Sequence, residues 1–290
     1  MILQLMINAL AIGSIYALIA LAMVIIYKTT QVPNFAQGEM AMLSTYIGLT
    51  LMVQSGWSWF AALLGALTFA ALLGAFFEYA FLRRARKPQL SDVIIMTLGF
   101  QFVLQGFAGW KWGPVQKDFR PPFSGMEAFR LGELAISPLD LITFGSALSV
   151  MAMLYFFFGY SRMGTAMRAA QQNPLAARIN GISIHQMNAS AWMISSVVGA
   201  VAGLLLAPVT SLDPLLMWDP LLKGFAAAVL GGMTSLPGAV LGGFLLALIE
   251  SLFGAYISLE FKSVVAFAVI VLVLWFRPSG LFSAYFQRKV

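Results

Sequence analysis

Hydrophobic residues in this chain form long continuous runs, separated by short polar segments. A helix needs about 20 apolar residues to cross a bilayer, whereas the strands of a membrane barrel would show short alternating segments. The continuous pattern therefore indicates helices. We predict membrane spans at residues Leu5 to Tyr27, Glu39 to Gln54, Ser58 to Leu82, Val93 to Trp110, Leu139 to Tyr160 and Met187 to Thr210.

The apolar stretch from Leu222 to Ile257 is too long for one straight helix and contains several glycines and a proline. We predict two helices there, joined by a turn near Pro237, and a last span from Lys262 to Phe276. The two helices either cross the membrane twice or form a re-entrant pair. The fold class is then an all-α, polytopic transmembrane bundle with about 8 to 9 crossings, one or more of them short or broken. No polar insert is long enough to bury a core of its own, so residues 1–290 are expected to form one domain.

Composition supports the bilayer as the main solvent of this chain. Hydrophobic residues make up 60% and charged residues 10%, and the mean hydropathy is +0.87, far from the balance of soluble domains. The net charge of +6 does not indicate nucleic-acid binding, because the basic residues lie in short loops beside apolar runs. With no cysteine and one histidine, we expect no metal site, no cofactor and no catalytic constellation.

Basic residues also predict the orientation of the spans, because cytoplasmic loops are enriched in lysine and arginine. One basic cluster follows the third span and comprises Arg83, Arg84, Arg86 and Lys87. A second lies in the loop 161–186, and the C-terminal basic residues are Arg277, Arg288 and Lys289. We predict that these segments and Lys28 are cytoplasmic, and that the segment from Lys111 to Ser137 and the N-terminus lie on the other side.

Polar residues inside the spans are candidates for a translocation pathway, because ionisable and amide side chains in a membrane need partners or water. The helix-breaking Pro33 and Gly38 interrupt the chain beside some of them, as expected where a cavity shields the backbone. The alternative is an ordinary turn with a structural hydrogen-bond network. The candidates are Asn34, Gln37, Glu39, Thr97, Gln101, Gln105 and Glu250.

Small residues at four-residue spacing form two stripes that permit close approach of helices. The residues are Ser195, Gly199 and Gly203 in one stripe and Gly238 and Gly242 in the other. Packing within one subunit and a dimer interface that lines the pathway are both open interpretations.

The loop 161–186 has the composition of two short helices outside the bilayer. Residues Gly164 to Gln172 favour a helix, Asn173 caps the next one with Pro174 at its first position, and Gly181 ends it. Their alanines and isoleucines would form a compact surface that could dock into a groove on a soluble partner. An interfacial helix resting on lipid headgroups is the alternative.

At this loop the chain resembles the branched-chain amino acid ABC permease family, and specifically its shorter permease type. The motifs that carry the resemblance are Tyr16 to Leu21, Asn34 to Glu39, Gly164 to Ala169, Asn173 to Ile182, Ala228 to Gly243 and Phe276 to Phe282. Together they cover nearly the whole chain in order. One departure is Gln37, where the family commonly has histidine. Relatives in the superfamily carry urea, short amides, sugars or nucleosides, so the substrate class stays open at this point.

The resemblance implies a multi-pass subunit of the bacterial inner membrane that imports branched-chain amino acids. It also implies two cytoplasmic ATPase subunits, a second related permease and a periplasmic or lipid-anchored binding protein as partners. This sequence contains no GxxxxGK[ST] phosphate-binding loop, so in an ATP-driven importer the ATPase would be another polypeptide. By the same resemblance the loop 161–186 couples to the ATPases. The coupling residues would be Gly164, Arg168, Ala169, Asn173, Pro174, Ala176, Ala177, Ile179, Gly181 and Ile182. A carrier driven by an ion gradient, with Glu250 as its ion site, is the alternative.

Overall fold

The computed structural model describes residues 2–85, 89–124, 126–131 and 134–282. Its helices are α1 (Ile2–Thr30), α2 (Gln37–Val53), α3 (Trp59–Phe77), α4 (Leu90–Trp112), α5 (Pro138–Tyr160), α6 (Arg162–Gln172), α7 (Pro174–Ile179), α8 (Ile184–Thr210), α9 (Trp218–Gly231), α10 (Leu236–Tyr256) and α11 (Lys262–Phe276). A short π-helix, Glu78–Leu82, continues α3, and two antiparallel strands, β1 (Phe129–Leu131) and β2 (Leu134–Ile136), form a ribbon. The predicted all-α transmembrane class is confirmed, and the ribbon in the polar insert is an addition that the sequence did not indicate.

Helix α1 is the centre of the bundle. Every residue from Gly13 to Ile26 is buried, and α10, α8, α9 and α5 pack around it. A helix that is apolar on all sides can be enclosed in this way without leaving a polar face unsatisfied. The spans around α1 carry more exposed apolar residues, and within the described residues six helices are long and apolar enough to cross a membrane.

Glycines set the distance between α10 and its neighbours. A Cβ atom added to Gly243 would lie 2.5 Å from the backbone nitrogen and 2.6 Å from the Cα atom of Ala17 on α1. One added to Gly242 would meet the carbonyl oxygen of Ala227 on α9. Helix backbones can meet this closely only where the side chain is a hydrogen atom. The stripe of Gly238 and Gly242 is therefore covered by a helix of the same chain.

The predicted interruption of the stretch 222–257 is confirmed, because α9 ends at Gly231 and α10 begins at Leu236. Gly232 between them has φ +105°, a conformation that favours glycine. Ser235 caps α10 by accepting a hydrogen bond at Oγ from the backbone N–H of Gly238 (3.1 Å), and Pro237 lies in the first turn. Proline suits this position because it has no N–H to leave unsatisfied.

The C-terminal segment returns to the end of α9. The backbone N–H groups of Leu281 and Phe282 donate to the carbonyl oxygens of Leu230 (2.9 Å) and Gly231 (3.2 Å). The last carbonyls of a helix have no partner within it, so this segment, part of the motif from Phe276 to Phe282, satisfies two of them.

The loops divide between two ends of the bundle as the basic residues predicted. At one end Glu78 lies 4.0 Å from His185 and Lys28 lies close enough to Arg168 for their charges to repel. At the other end, Gln4 near the start of α1 donates to the carbonyl oxygen of Ala135 at 2.8 Å. Arg86, Lys87, Arg288 and Lys289 lie outside the described residues.

We predict that Gly243→Ala destabilises the protein, because its methyl group would clash with the α1 backbone. Overpacking of this kind costs about 1–3 kcal/mol. Gly99→Ala on α4 is a matched control, since no atom lies within 4 Å of its added Cβ. The measurement is the midpoint of thermal unfolding in detergent, which should fall for Gly243→Ala and stay or rise slightly for the control. Equal midpoints would contradict the packing described above.

Candidate functional site

The start of α2 lies inside the protein. Asn34, Gln37 and Glu39 are at most 4% exposed, although they follow a non-helical segment. The Asn34 side chain forms a local turn, in which Oδ1 accepts from the N–H of Ala36 (3.0 Å) and Nδ2 donates to Oε1 of Gln37 (3.1 Å). Such side-chain turns replace the backbone bonds that a helix would supply. The polar motif is thereby held together below the surface.

Gln37 connects this turn to two other helices. Its Nε2 donates to the carbonyl oxygen of Ser195 on α8 (3.1 Å). The hydroxyl of Ser195 lies 2.7 Å from the carbonyl oxygen of Ala22 on α1 and 3.0 Å from Oε1 of Gln37, and its single proton can serve one acceptor at a time. The network joins α1, α2 and α8 at a buried point.

The stripe of Ser195, Gly199 and Gly203 faces α2. A Cβ atom on Gly199 would meet Nε2 of Gln37, and one on Gly203 would lie 2.6 Å from Oγ1 of Thr45. The absence of side chains on α8 therefore makes room for the polar residues of α2.

The polar stripe on α4 is buried toward its inner end. Thr97 is fully buried and donates to the carbonyl oxygen of Ile94 in its own helix (2.9 Å). Gln101 is 7% exposed, and its amide interacts with the carboxylate of Glu39. Gln105 is only half-buried. The structure thus brings Gln101 to the motif on α2, whereas Thr97 satisfies its hydroxyl locally.

Glu250 is not isolated, in contrast to its appearance in the sequence. It is completely buried, and its Oε1 lies 2.6 Å from Nζ of Lys223 on α9. Its Oε2 accepts a hydrogen bond from the hydroxyl of Tyr16 on α1 (2.8 Å). Lys223 also contacts Asp219 at 2.7 Å, one helical turn away at the exposed end of α9. The hypothesis of an ion-gradient carrier that uses Glu250 is not supported, because an internal cation already occupies the carboxylate.

Sequence reasoning did not connect Lys223 or Tyr16 with Glu250. Two signals were present: Lys223 is a cation within an apolar run, four residues after Asp219, and Tyr16 begins one of the motifs that carry the resemblance. A charge in a membrane segment implies a partner. Its identity could not be derived, because the three residues are up to 234 positions apart in the chain.

The loop 161–186 forms the two short helices that were predicted, α6 and α7. Ser161 caps α6, and the Asn173 side chain caps α7 by accepting from the N–H of Ala176 (3.0 Å). Gly181 ends the segment with φ +79°, a conformation that favours glycine. The predicted roles of Asn173, Pro174 and Gly181 in helix geometry are confirmed.

This two-helix segment is attached to the bundle through α5. A Cβ atom on Gly164 would meet the carbonyl oxygen of Phe157, and the guanidinium of Arg168 donates to the carbonyl oxygen of Gly159 (3.3 Å). Met167, on the inner face of α6, is 1% exposed. The inner face is therefore fixed to the end of α5.

The outer face of the segment differs in one position from the prediction. Ala177 is 3% exposed and points inward, so it does not form part of the outer surface as expected. Leu175 and Ile179 are instead 69% and 79% exposed. On a helix of this length, residues two apart lie on different faces, and Ala177 occupies the inner one. Ala176 is exposed, whereas Ala169 and Ile182 are half-buried.

Comparison with known proteins places these features in a family. The family model described as the permease component of branched-chain amino acid transport systems matches residues 5–274. The chain is 32% identical over 300 residues to the high-affinity branched-chain amino acid transport system permease protein LivH of Escherichia coli K12. The alignment covers 99% of this chain and 97% of LivH. BraD of Pseudomonas aeruginosa, a permease protein of the same description, is 31% identical to this chain, and the alignment covers 99% of this chain and 98% of BraD.

A solved structure shares the fold at much lower identity. PsaBC from Streptococcus pneumoniae in complex with Fab superposes with a TM-score of 0.51 and 13% identity, over 95% of this chain and 91% of that one. At this identity the likeness concerns the fold alone.

We predict that Lys223→Met destabilises the protein strongly, because it leaves Glu250 buried without a cation. Breaking a buried pair by removing one partner costs about 3–5 kcal/mol. The double variant Lys223→Met with Glu250→Gln should regain part of this loss, since no charge remains unpaired.

The measurement is a double-mutant cycle of unfolding free energies in detergent. Asp219→Asn serves as the control, and its expected effect is below about 1 kcal/mol because the Asp219 side chain is 56% exposed. Additive effects of the two buried substitutions would rule out coupling between Lys223 and Glu250.

Proposed function

This chain belongs to the family of permease components of branched-chain amino acid transport systems, and on that premise we propose that it is the membrane-spanning subunit of an ATP-driven importer of branched-chain amino acids. The observation that carries the proposal is the sequence match to two such permeases over 99% of the chain. The proposal places this multi-pass protein in the bacterial inner membrane. The chain would break no bond in its substrate and would leave ATP hydrolysis to other subunits.

The proposed partners are two cytoplasmic ATPase subunits, a second related permease and a periplasmic or lipid-anchored binding protein. The outer face of α6 and α7 supports the ATPase contact. It presents Leu175 and Ile179 to solvent, while the inner face is attached to α5. Exposed apolar side chains on a rigid support fit a groove on a soluble partner.

The proposed mechanism is alternating access. ATP binding closes the ATPase dimer, and the docked segment 161–186 moves with it. The contacts of Gly164 and Arg168 with the end of α5 would pass this movement to that helix. Gly181 would preserve the shape of the segment, and Ala169, Asn173, Pro174, Ala176, Ala177 and Ile182 would support it.

We propose that the translocation pathway runs beside the start of α2. Asn34, Gln37 and Glu39 supply polar groups there, and Gln101 on α4 faces them. Gln105 would continue this path toward the other end of α4, with Thr97 at its inner end. Glu250 is better explained as a structural anion, because Lys223 and Tyr16 already satisfy it.

The experiment that tests the assembly is a pull-down of the chain from its native membrane in a mild detergent. Recovery of P-loop ATPases and a second permease is the expected outcome. Recovery of the chain alone, still able to move substrate in vesicles without ATP, would overturn the proposal in favour of a carrier.

We predict that Ile179→Asp weakens binding of the ATPases and abolishes uptake without affecting membrane insertion. The substitution removes a central apolar contact and places a charge in an apolar groove, where the charge must lose its hydration. The affinity for the ATPases should therefore fall about tenfold or more. The measurement is the amount of ATPase recovered with the chain, together with uptake in vesicles.

Leu259→Asp is the matched control. Leu259 is 78% exposed, like Ile179 at 79%, but it lies between α10 and α11, away from the two-helix segment. Recovery of ATPase with Leu259→Asp should equal that with the unaltered chain. If Ile179→Asp also retained full recovery and uptake, the docking role of α7 would be wrong.

A further inference from the structure

Three glutamates are buried among the described residues, and they differ in how their charge is balanced. Glu250 contacts Lys223 and Tyr16. Glu78 lies 4.0 Å from the imidazole of His185. Glu39 has no ion-pair partner in the part of the chain that the structure describes, although it is only 4% exposed. Of these three, Glu39 is therefore the one with no basic side chain of the described residues beside its carboxylate.

The neighbours of Glu39 satisfy only some of the hydrogen-bonding positions of its carboxylate. The Gln101 amide and the backbone N–H of Glu39 itself approach it, and the first turn of α2 favours a negative charge. Its Oε2 atom is fully buried and accepts no hydrogen bond. Burial of a carboxylate is unfavourable unless it is paired and fully hydrogen-bonded. The site is therefore incomplete and is suited to a cationic group from outside the chain.

A second unpartnered group lies on the same helix. The hydroxyl of Tyr46 is buried without a hydrogen-bond partner, and residues seven apart share a helix face, about 10 Å along the axis. The Tyr46 ring stacks on Trp112 of α4 with ring centroids 4.8 Å apart. Both unpartnered groups thus lie along the contact between α2 and α4.

Helix α4 is the element best placed to uncover them. It packs mainly against α2, and its outer side chains Phe102, Val103 and Trp110 are 64–80% exposed. Separation of α4 from α2 would open Oε2 of Glu39 without disturbing the tightly packed helices α1, α9 and α10. In the described conformation α2 and α4 are in contact, and Oε2 of Glu39 is buried.

We propose that Glu39 accepts the ammonium group of the amino acid during translocation, in the space that opens between α2 and α4. This inference rests on the proposed function, since a branched-chain amino acid carries one ammonium group and an apolar side chain. The ammonium group supplies the N–H donors that Oε2 lacks. The side chain of the substrate needs only the apolar surroundings that the spans provide.

The test uses the complete importer in proteoliposomes, with its ATPases, second permease and binding protein. Glu39→Gln removes the charge and keeps the shape, and Glu39→Asp keeps the charge on a shorter side chain. Glu260→Gln is the matched control, because it makes the same change at an exposed loop residue. Uptake of labelled leucine and stimulation of ATP hydrolysis by the leucine-loaded binding protein are measured on the same vesicles.

We expect Glu39→Gln to lower uptake about 10- to 100-fold, the range of a lost hydrogen bond to a charged group. Stimulated ATP hydrolysis should persist, Glu39→Asp should be intermediate, and Glu260→Gln should match the unaltered importer. Dissipation of the proton gradient should leave uptake unchanged.

Several results would overturn the inference. Normal uptake with Glu39→Gln would show that the carboxylate is not needed. Parallel loss of uptake, ATP hydrolysis and assembled complex would assign Glu39 a structural role, and dependence of uptake on a proton gradient would make it a proton site. Failure of the unaltered chain to form an ATP-hydrolysing importer would instead refute the proposed function, which keeps the two failures distinct.

Discussion

The ion pair between Lys223 and Glu250 requires α9 and α10 to lie side by side within the membrane, because neither charge could be buried alone. The Tyr16 hydroxyl adds α1 to the same contact. The glycines of α10 then allow the three backbones to approach closely. Polar pairing and glycine packing thus act on the same interfaces and favour one arrangement of these helices.

The polar groups at the start of α2 are not all paired. Gln37 and Ser195 satisfy each other and the backbone of α1, but Glu39 keeps one oxygen without a donor. A buried carboxylate oxygen without a donor lowers the stability of the protein. Groups that lower stability in this way cluster at functional sites. Among the described residues, Glu250 is thus paired with a cation inside the chain, whereas Glu39, the carboxylate proposed to meet substrate, is not.

The segment 161–186 combines a fixed inner face with an exposed outer one. Gly164, Met167 and Ala177 are buried, whereas Leu175 and Ile179 are exposed. A rigid element of this kind can transmit a displacement, because its contacts with α5 involve backbone atoms and leave little room for adjustment.

The sequence by itself determined the apolar helices, the break between α9 and α10, the two capped helices of the loop and the grouping of loops at two ends. Each of these depends on local signals, such as apolar length, proline and glycine, a capping asparagine, or basic residues near a span. The tertiary structure alone decided which polar side chains meet: Lys223 with Glu250 and Gln101 with Glu39. It also decided that Ala177 points inward. These facts depend on how helices rotate and pack against distant parts of the chain, and neither spacing nor composition specifies that rotation.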